Sequence, residues 1–220
     1  MNMTNPDQYQ SLLDEKQARI ERDFANFAVS ESGEQKALPK LEVFASAPEH
    51  FRLRAEFRIW HQDGRCFYAM FDPGDKRTPY EVTDFPIGSE LINRLMKQML
   101  EAVHQPENDI LMQRMFQMEF LTTLSGDALI TMIYHKPLDE EWQAAAEKLQ
   151  AQIGFPIIGR SRRQKLVLER DYVIETLTIG DKQYHYKQIE GGFTQPNGEM
   201  NQQMLTWAKE LSEPLSGDLL

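Results

Sequence analysis

Phe51-Arg52-Leu53-Arg54-Ala55-Glu56-Phe57-Arg58-Ile59-Trp60-His61 alternates apolar and polar side chains along its whole length. A period of two puts Phe51, Leu53, Ala55, Phe57 and Ile59 on one face of a strand, and Arg52, Arg54 and Arg58 on the other. One face is therefore bound for a core and the other stays open, the pattern of a half-buried sheet. Asp63-Gly64 predicts a tight hairpin turn, with Cys66 to Phe71 returning as the partner strand. The three outward arginines read two ways by pattern alone. They make a rail for phosphates, or an ion-paired solvated face helped by Glu56.

Upstream, the spacing of Leu12, Lys16, Ile20 and Phe24 predicts a helix over Gln8 to Phe27, and polar Ser30 to Pro39 predicts a linker. Downstream, Asp72 to Pro79 reads as a loop and Tyr80 to Val82 as a short strand. Ser89 is the predicted cap of a helix from Glu90 to His104, whose face of Leu91, Ile92, Leu95, Met96, Met99 and Val103 belongs to the core. Pro106 stops that helix. Two β-rich runs, Met115 to Leu124 and Leu129 to His135, flank Ser125-Gly126-Asp127 and predict a second hairpin. Phe116 and His135 fall on its same, open side. By pattern alone these are a core aromatic and a surface imidazole; the other reading is a platform for unpaired RNA bases, at about 1–3 kcal/mol per base.

Asp139 caps a further predicted helix that buries Trp142, Ala145, Ala146 and Leu149, and Gly154 to Gly159 is a strand. Arg160, Arg162, Arg163 and Lys165 form the most basic cluster, read as a loop that either solubilises or meets phosphate. Leu166 to Leu168, Tyr172 to Leu177 and Tyr184 to Tyr186 alternate like strands, with Gly180-Asp181 as a turn. The chain then reaches Gly191-Gly192-Phe193-Thr194-Gln195-Pro196-Asn197, with Pro196 placed for a first helical turn. Met200, Met204, Trp207 and Leu211 recur at helical spacing; Pro214 and Gly217 close that helix, and Asp218 to Leu220 start a strand. A strand stopped at its third residue buries almost nothing, so the expectation is a truncated polypeptide.

The 220 residues suffice for a real core, and no apolar run approaches the roughly 20 residues that span a bilayer. The N-terminus lacks a basic region followed by an apolar one, so no secretory signal is read. The single cysteine, Cys66, excludes an internal disulfide and suits a reducing cytoplasm. A formal charge of −10 argues against indiscriminate nucleic-acid binding, while leaving room for a local basic face. No Walker loop, HExxH, CxxC or GxSxG is present, the histidines lack ligand spacing, and no metal is expected. Cys66 lies in a hairpin with no histidine beside it in sequence, which suits a buried thiol and not a nucleophile.

Several separate segments carry a resemblance. FTQPN at Phe193 to Asn197, the helix pattern from Met200 to Ala208, Gly-Asp-Leu-Leu at Gly217 to Leu220, FRxRAEFR ending at Arg58, Phe116-Gln117, and YHKxLD at Tyr134 to Asp139 all resemble the RNA uracil-5-methyltransferases. The tRNA (uracil-5-)-methyltransferase branch is the most similar. The resemblance implies an α+β fold: a helical segment over 1–50, an antiparallel-sheet RNA-recognition region with flanking helices over 51–188, and over 189–220 the truncated start of a Rossmann-like S-adenosylmethionine-dependent methyltransferase domain. It implies methyl transfer to C5 of a T-loop uridine in tRNA, and in tRNA-like RNA, by a cytoplasmic monomer with no membrane partner. It implies that Arg58, Phe116, His135 and Phe193 meet RNA, and that Gln195 contacts S-adenosylmethionine. Methylating C5 needs a thiolate that adds at C6 and a base that removes the C5 proton, with the target out of its stack. In the resembled family those residues fall beyond residue 220, so this polypeptide alone is expected to bind weakly and not turn over. A non-catalytic tRNA-binding or RNA-folding protein is the alternative.

Overall fold

The computed structural model describes residues 6–28, 39–75 and 77–212. By internal contacts the chain divides into Asn2–Pro48 and a second unit that begins at Glu49 and runs to Leu220. In the first, helix α1 (Tyr9–Phe24) stands between two short 3-10 turns, and none of its residues is buried. Ile20, Phe24 and Phe27 of the predicted apolar stripe are exposed.

The second unit is built on a seven-stranded sheet. Its strands are β1 (Arg54–Gln62), β2 (Arg65–Phe71), β3 (Pro79–Glu81), β4 (Met115–Thr122), β5 (Ala128–Tyr134), β6 (Ile157–Ser161) and β7 (Gln164–Val167), in the order β3-β2-β1-β4-β5-β6-β7. All neighbours are antiparallel except β5 and β6. That one parallel pair follows from the helical crossover between them, α4 (Glu140–Ile153), because parallel strands need a long connection. The fold is α+β on a mostly antiparallel sheet, as the resemblance implies, and β1 is half-buried as its alternation predicts.

One sheet face is the core face. Ala55, Phe57 and Ile59 of β1 are buried there with Tyr68, Met118, Phe120 and Met132. Helix α2 (Glu90–Val103) covers them with Ile92, Leu95, Met96 and Met99, and α4 adds Trp142 and Leu149. Phe57 meets the edge of Phe85 at 5.1 Å. The predicted caps form: Ser89 Oγ accepts from Ile92 N at 3.1 Å, and an Asp139 carboxylate oxygen accepts from Trp142 N at 2.9 Å. A short helix α3 (Asp109–Met112) fills the connection from α2 to β4.

On the opposite face, Leu121, Leu129 and Ile158 are covered by Val173 of the ribbon formed by β8 (Tyr172–Ile179) and β9 (Lys182–Ile189). The segment after β9 is fastened to the start of β1: Leu53 N donates to the Pro196 carbonyl at 2.7 Å. Helix α5 (Gly198–Ser212) follows. Asn197 caps it, accepting from Met200 N at 3.0 Å, so Pro196 stands ahead of the helix and not in its first turn. Met204, Trp207 and Leu211 of its predicted apolar stripe are about half exposed. The closing residues Pro214 and Gly217 and the strand read at Asp218 to Leu220 lie outside the described residues.

Candidate nucleic-acid interface

The expected RNA-facing residues Arg58, Phe116 and His135 converge at one end of the sheet. Arg58 pairs across β1–β4 with Gln117, and Met115 pairs across β4–β5 with Tyr134. The register shifts between Met115 and Gln117, leaving Phe116 as the extra residue of a β-bulge. A bulge bends its strand and re-aims the side chain it carries. Three contacts hold it. Met115 is buried, His135 N donates to the Arg114 carbonyl at 3.0 Å, and His61 Nε2 lies 2.7 Å from the Met115 carbonyl. Since a carbonyl only accepts, that imidazole nitrogen carries the hydrogen. Arg114 enters the bulge at φ +56°, the left-handed region that a side chain rarely adopts.

So aimed, the Phe116 ring stacks on the His135 imidazole at 4.0 Å between centres, 27° from parallel. The Arg58 guanidinium carbon lies 4.0 Å from the centre of the same ring. Arg58 reaches the ring from β1 and His135 from the end of β5, the strands on either side of β4, so Phe116 stands in a column between guanidinium and imidazole. Each contact is worth on the order of 0.5–1 kcal/mol at an exposed position. The planar faces left open to a ligand are the outer face of the guanidinium and the outer face of the imidazole. Beside the column, Arg58, Trp60, His61, Arg114, Phe116 and His135 line an open cleft of about 310 Å³. Cationic, planar and hydrogen-bonding groups in one cleft suit a nucleotide: stacking for its base and charge for its phosphate.

The other arginines of β1 do not extend that column. Arg52 Nε donates to the Arg54 carbonyl at 2.8 Å, and Arg54 donates to the carbonyl of Gly192. Of the three outward arginines, Arg58 is the one that joins the column. Of the basic cluster, Arg160 is bonded to Glu190 at 2.6 Å and Lys165 to Asp171 at 2.7 Å. Burial pushes the Glu190 carboxyl up, but the bond and charge of Arg160, with Lys165, outweigh it and hold the carboxyl below its ordinary range. The run read as a loop is instead a tight hairpin between β6 and β7.

Phe193 and Gln195 lie apart from the column. Phe193 is 92% exposed, and the Gln195 amide nitrogen donates to the Met204 sulfur at 3.9 Å. These residues offer one wall and do not by themselves enclose a cofactor. Cys66 is buried, and burial pushes its thiol up to about 11 against a small opposing effect of Arg65, which keeps it un-ionised. Among the described residues no cluster of three or more His, Cys, Asp or Glu side chains could hold a metal ion, and no helix is long and apolar enough to cross a membrane.

Sequence reading missed Trp60, His61 and Arg114. His61 carried a signal, because it breaks the alternation in phase with Phe57 and Ile59, where an apolar residue belongs. Arg114 carried none, since its backbone conformation follows from the bulge.

Residues 8–220 match the family described as tRNA (Uracil-5-)-methyltransferase. The chain is 50% identical over 212 residues to the tRNA/tmRNA (uracil-C(5))-methyltransferase of Cellvibrio japonicus, covering 96% of this chain and 55% of that protein. It is 50% identical over 216 residues to the protein of the same description from Ectopseudomonas mendocina, covering 98% and 57%. The chain spans about half the length of the curated relatives it matches. Among solved structures it is similar to Pyrococcus abyssi tRNA (uracil-54, C5)-methyltransferase in complex with S-adenosyl-L-homocysteine, with a TM-score of 0.57 and 12% identity, over 95% of this chain and 48% of that one. That likeness shows the fold.

Proposed function

We propose, for a chain that belongs to the tRNA (uracil-5-)-methyltransferase family, that it is the substrate-gripping portion of an enzyme that methylates C5 of a T-loop uridine in tRNA. The T arm of tRNA is its partner, and tmRNA, which relatives also name, is a second one. A tRNA substrate places the protein in the cytoplasm. The observation that carries the reading is the preassembled column of Arg58, Phe116 and His135.

The column's role follows from its open faces. A T-loop base must leave its stack before chemistry reaches it, and unstacking costs a few kcal/mol. Bases taken up on the outer faces of His135 and Arg58 recover stacking at about 1–3 kcal/mol each. Phe116 is the spacer that keeps those groups apart. Phe193 would extend the contact toward the flipped nucleotide, and Gln195 would bind S-adenosylmethionine through its amide, which both donates and accepts. S-adenosylmethionine supplies the methyl group. The nucleophile and the base belong to the part of the family chain that this sequence does not match, and Cys66, un-ionised in the core, supplies neither. Residues 51–188 form the recognition region, and 189–220 open a methyltransferase domain.

The test is direct binding by the 220-residue chain. A T-arm hairpin lacking the methyl group is expected to bind at least tenfold more tightly than an unrelated hairpin of equal length, a difference of about 1.4 kcal/mol. Equal affinity for the two RNAs defeats the reading.

A further inference from the structure

We infer that the tip of the β6–β7 hairpin, Arg162-Arg163, is a second RNA contact, binding backbone phosphates that run on from His135 along the end of the sheet. It rests on the T-arm reading above.

The first observation is the turn itself. Among the described residues, three hairpins close with two residues between paired strands: Asp63-Gly64, Gly180-Asp181 and Arg162-Arg163. Such loops favour the primed turns, whose twist matches that of the strands and whose positive φ calls for Gly, Asn or Asp. The first two obey, with φ +51° and +77° at Asp63-Gly64 and +62° at Gly180. The third does not, since neither arginine has positive φ. Turn chemistry therefore does not account for two arginines here.

The second observation is pairing. Arg160 and Lys165 on the flanking strands are bonded to Glu190 and Asp171, and Arg170 to Asp127. Arg162 and Arg163 are exposed, and among the described residues neither meets a carboxylate. Within this basic cluster, Arg162 and Arg163 are thus the cations that no carboxylate of the described residues neutralises.

The third observation is place. β6 runs parallel to β5, so both strands end on the same side. Ser161 Oγ donates to the carbonyl of Lys136 at 2.6 Å, which sets Arg162 beside the residue that follows His135. Phe116 on β4 lies two strands from β6, roughly 10 Å at the usual strand spacing. A strand whose bases engage the column carries its backbone across this end, where a guanidinium fork matches a phosphate.

The experiment measures binding of the T-arm hairpin by the 220-residue chain across a series of KCl concentrations. Each phosphate contact to single-stranded nucleic acid adds about 0.7 to the slope of log K against log salt. Arg162→Gln with Arg163→Gln is expected to make that slope shallower by about 1.4. Arg162→Lys with Arg163→Lys keeps the wild-type slope. Lys148→Gln with Lys182→Gln, two exposed charges elsewhere, also keeps it. An unchanged slope in the double glutamine variant, or an equal fall in the Lys148/Lys182 variant, overturns the site. Phe116→Ala separates the two readings, because it is expected to weaken binding with the slope intact. If Phe116→Ala binds as wild type while the arginine pair still sets the slope, the column reading fails and this site stands. If the wild-type chain ignores the T-arm hairpin, both fail.

Discussion

Two aromatics in this molecule, half-buried Phe116 and exposed Phe193, sit in opposite circumstances. Phe116 is aimed by a bulge, covered on both faces, and braced by backbone contacts from His61 and His135. Phe193 is 92% exposed on a segment that is anchored at its root but not at its side chain. The root is well held, because Arg54 donates to Gly192 and Glu190 is locked by Arg160 and Lys165. The difference teaches that the two proposed contact regions are not equally preorganised. The column is held by neighbouring strands of one sheet, whereas the side chain of Phe193 has no such support.

The largest expected effect breaks or keeps that contrast. His135→Ala or Phe116→Ala is expected to weaken T-arm binding by this chain at least tenfold, within the range of about 1–3 kcal/mol for one stacked base. Phe193→Ala and Gln195→Ala are expected to change it less than about twofold, below 0.5 kcal/mol. The Phe116/His135 double variant should lose less than the sum of the singles, with a coupling of about 0.5–1.5 kcal/mol, because each ring acts through the other. Fluorescence titration of the wild type and these five variants decides it. Equal losses at Phe116 and Phe193 would erase the distinction.

A smaller effect sharpens it. His61 holds the Met115 carbonyl at the root of the bulge, so we treat it as a positioning residue. His61→Ala is expected to weaken binding about threefold, the worth of one hydrogen bond at roughly 0.5–1 kcal/mol. In the RNA-free protein the ring protons of His135, shifted upfield by Phe116, should move back toward those of an unstacked histidine. His61→Gln sets an amide nitrogen where Nε2 lies and should restore both readouts. A His135 spectrum indifferent to His61→Ala would show that the bulge needs no brace.

Much of this architecture was legible because it is local. Alternation from Phe51 to His61 gave the face of β1, Asp63-Gly64 gave its turn, and Ser89 and Asp139 gave two helix starts. What escaped depends on contacts between distant residues. The β5–β6 pairing is parallel because α4 carries the chain back over the sheet, which no short pattern encodes. The arginines of the basic cluster look alike in sequence, yet Glu190 and Asp171 neutralise Arg160 and Lys165 and leave Arg162 and Arg163. Phe116 and His135 could be placed on one side of a hairpin, but the shift that turns one ring onto the other follows from a bulge that Met115 and Phe116 do not announce. Arg58 reached the column through its register with Gln117, a pairing across 59 residues of chain.

The smallest effect concerns the surface between the two regions. Glu119 lies on the open face of β4, opposite Glu56, and accepts from Gln117 at 2.9 Å. Burial raises its carboxyl above the ordinary range; the Gln117 bond works against that, Glu56 and Glu190 repel the charge, and Arg54 eases it. A raised carboxyl means that the folded protein holds the proton more readily than the unfolded chain does. Between the ordinary carboxylate value and the raised one, the folded state therefore binds more protons, and stability falls as pH rises through that window. The penalty is complete above it. Glu119→Gln keeps the shape and removes the charge, so it is expected to stabilise the fold near neutral pH by up to about 1 kcal/mol. Below the window the two proteins should converge. Urea midpoints from pH 4 to 7 test this: the wild-type midpoint should drop relative to the variant as pH rises. A gap that instead widens on acidification would mean that Glu119 is held by its partners as a carboxylate, with Gln117 and Arg54 prevailing over burial.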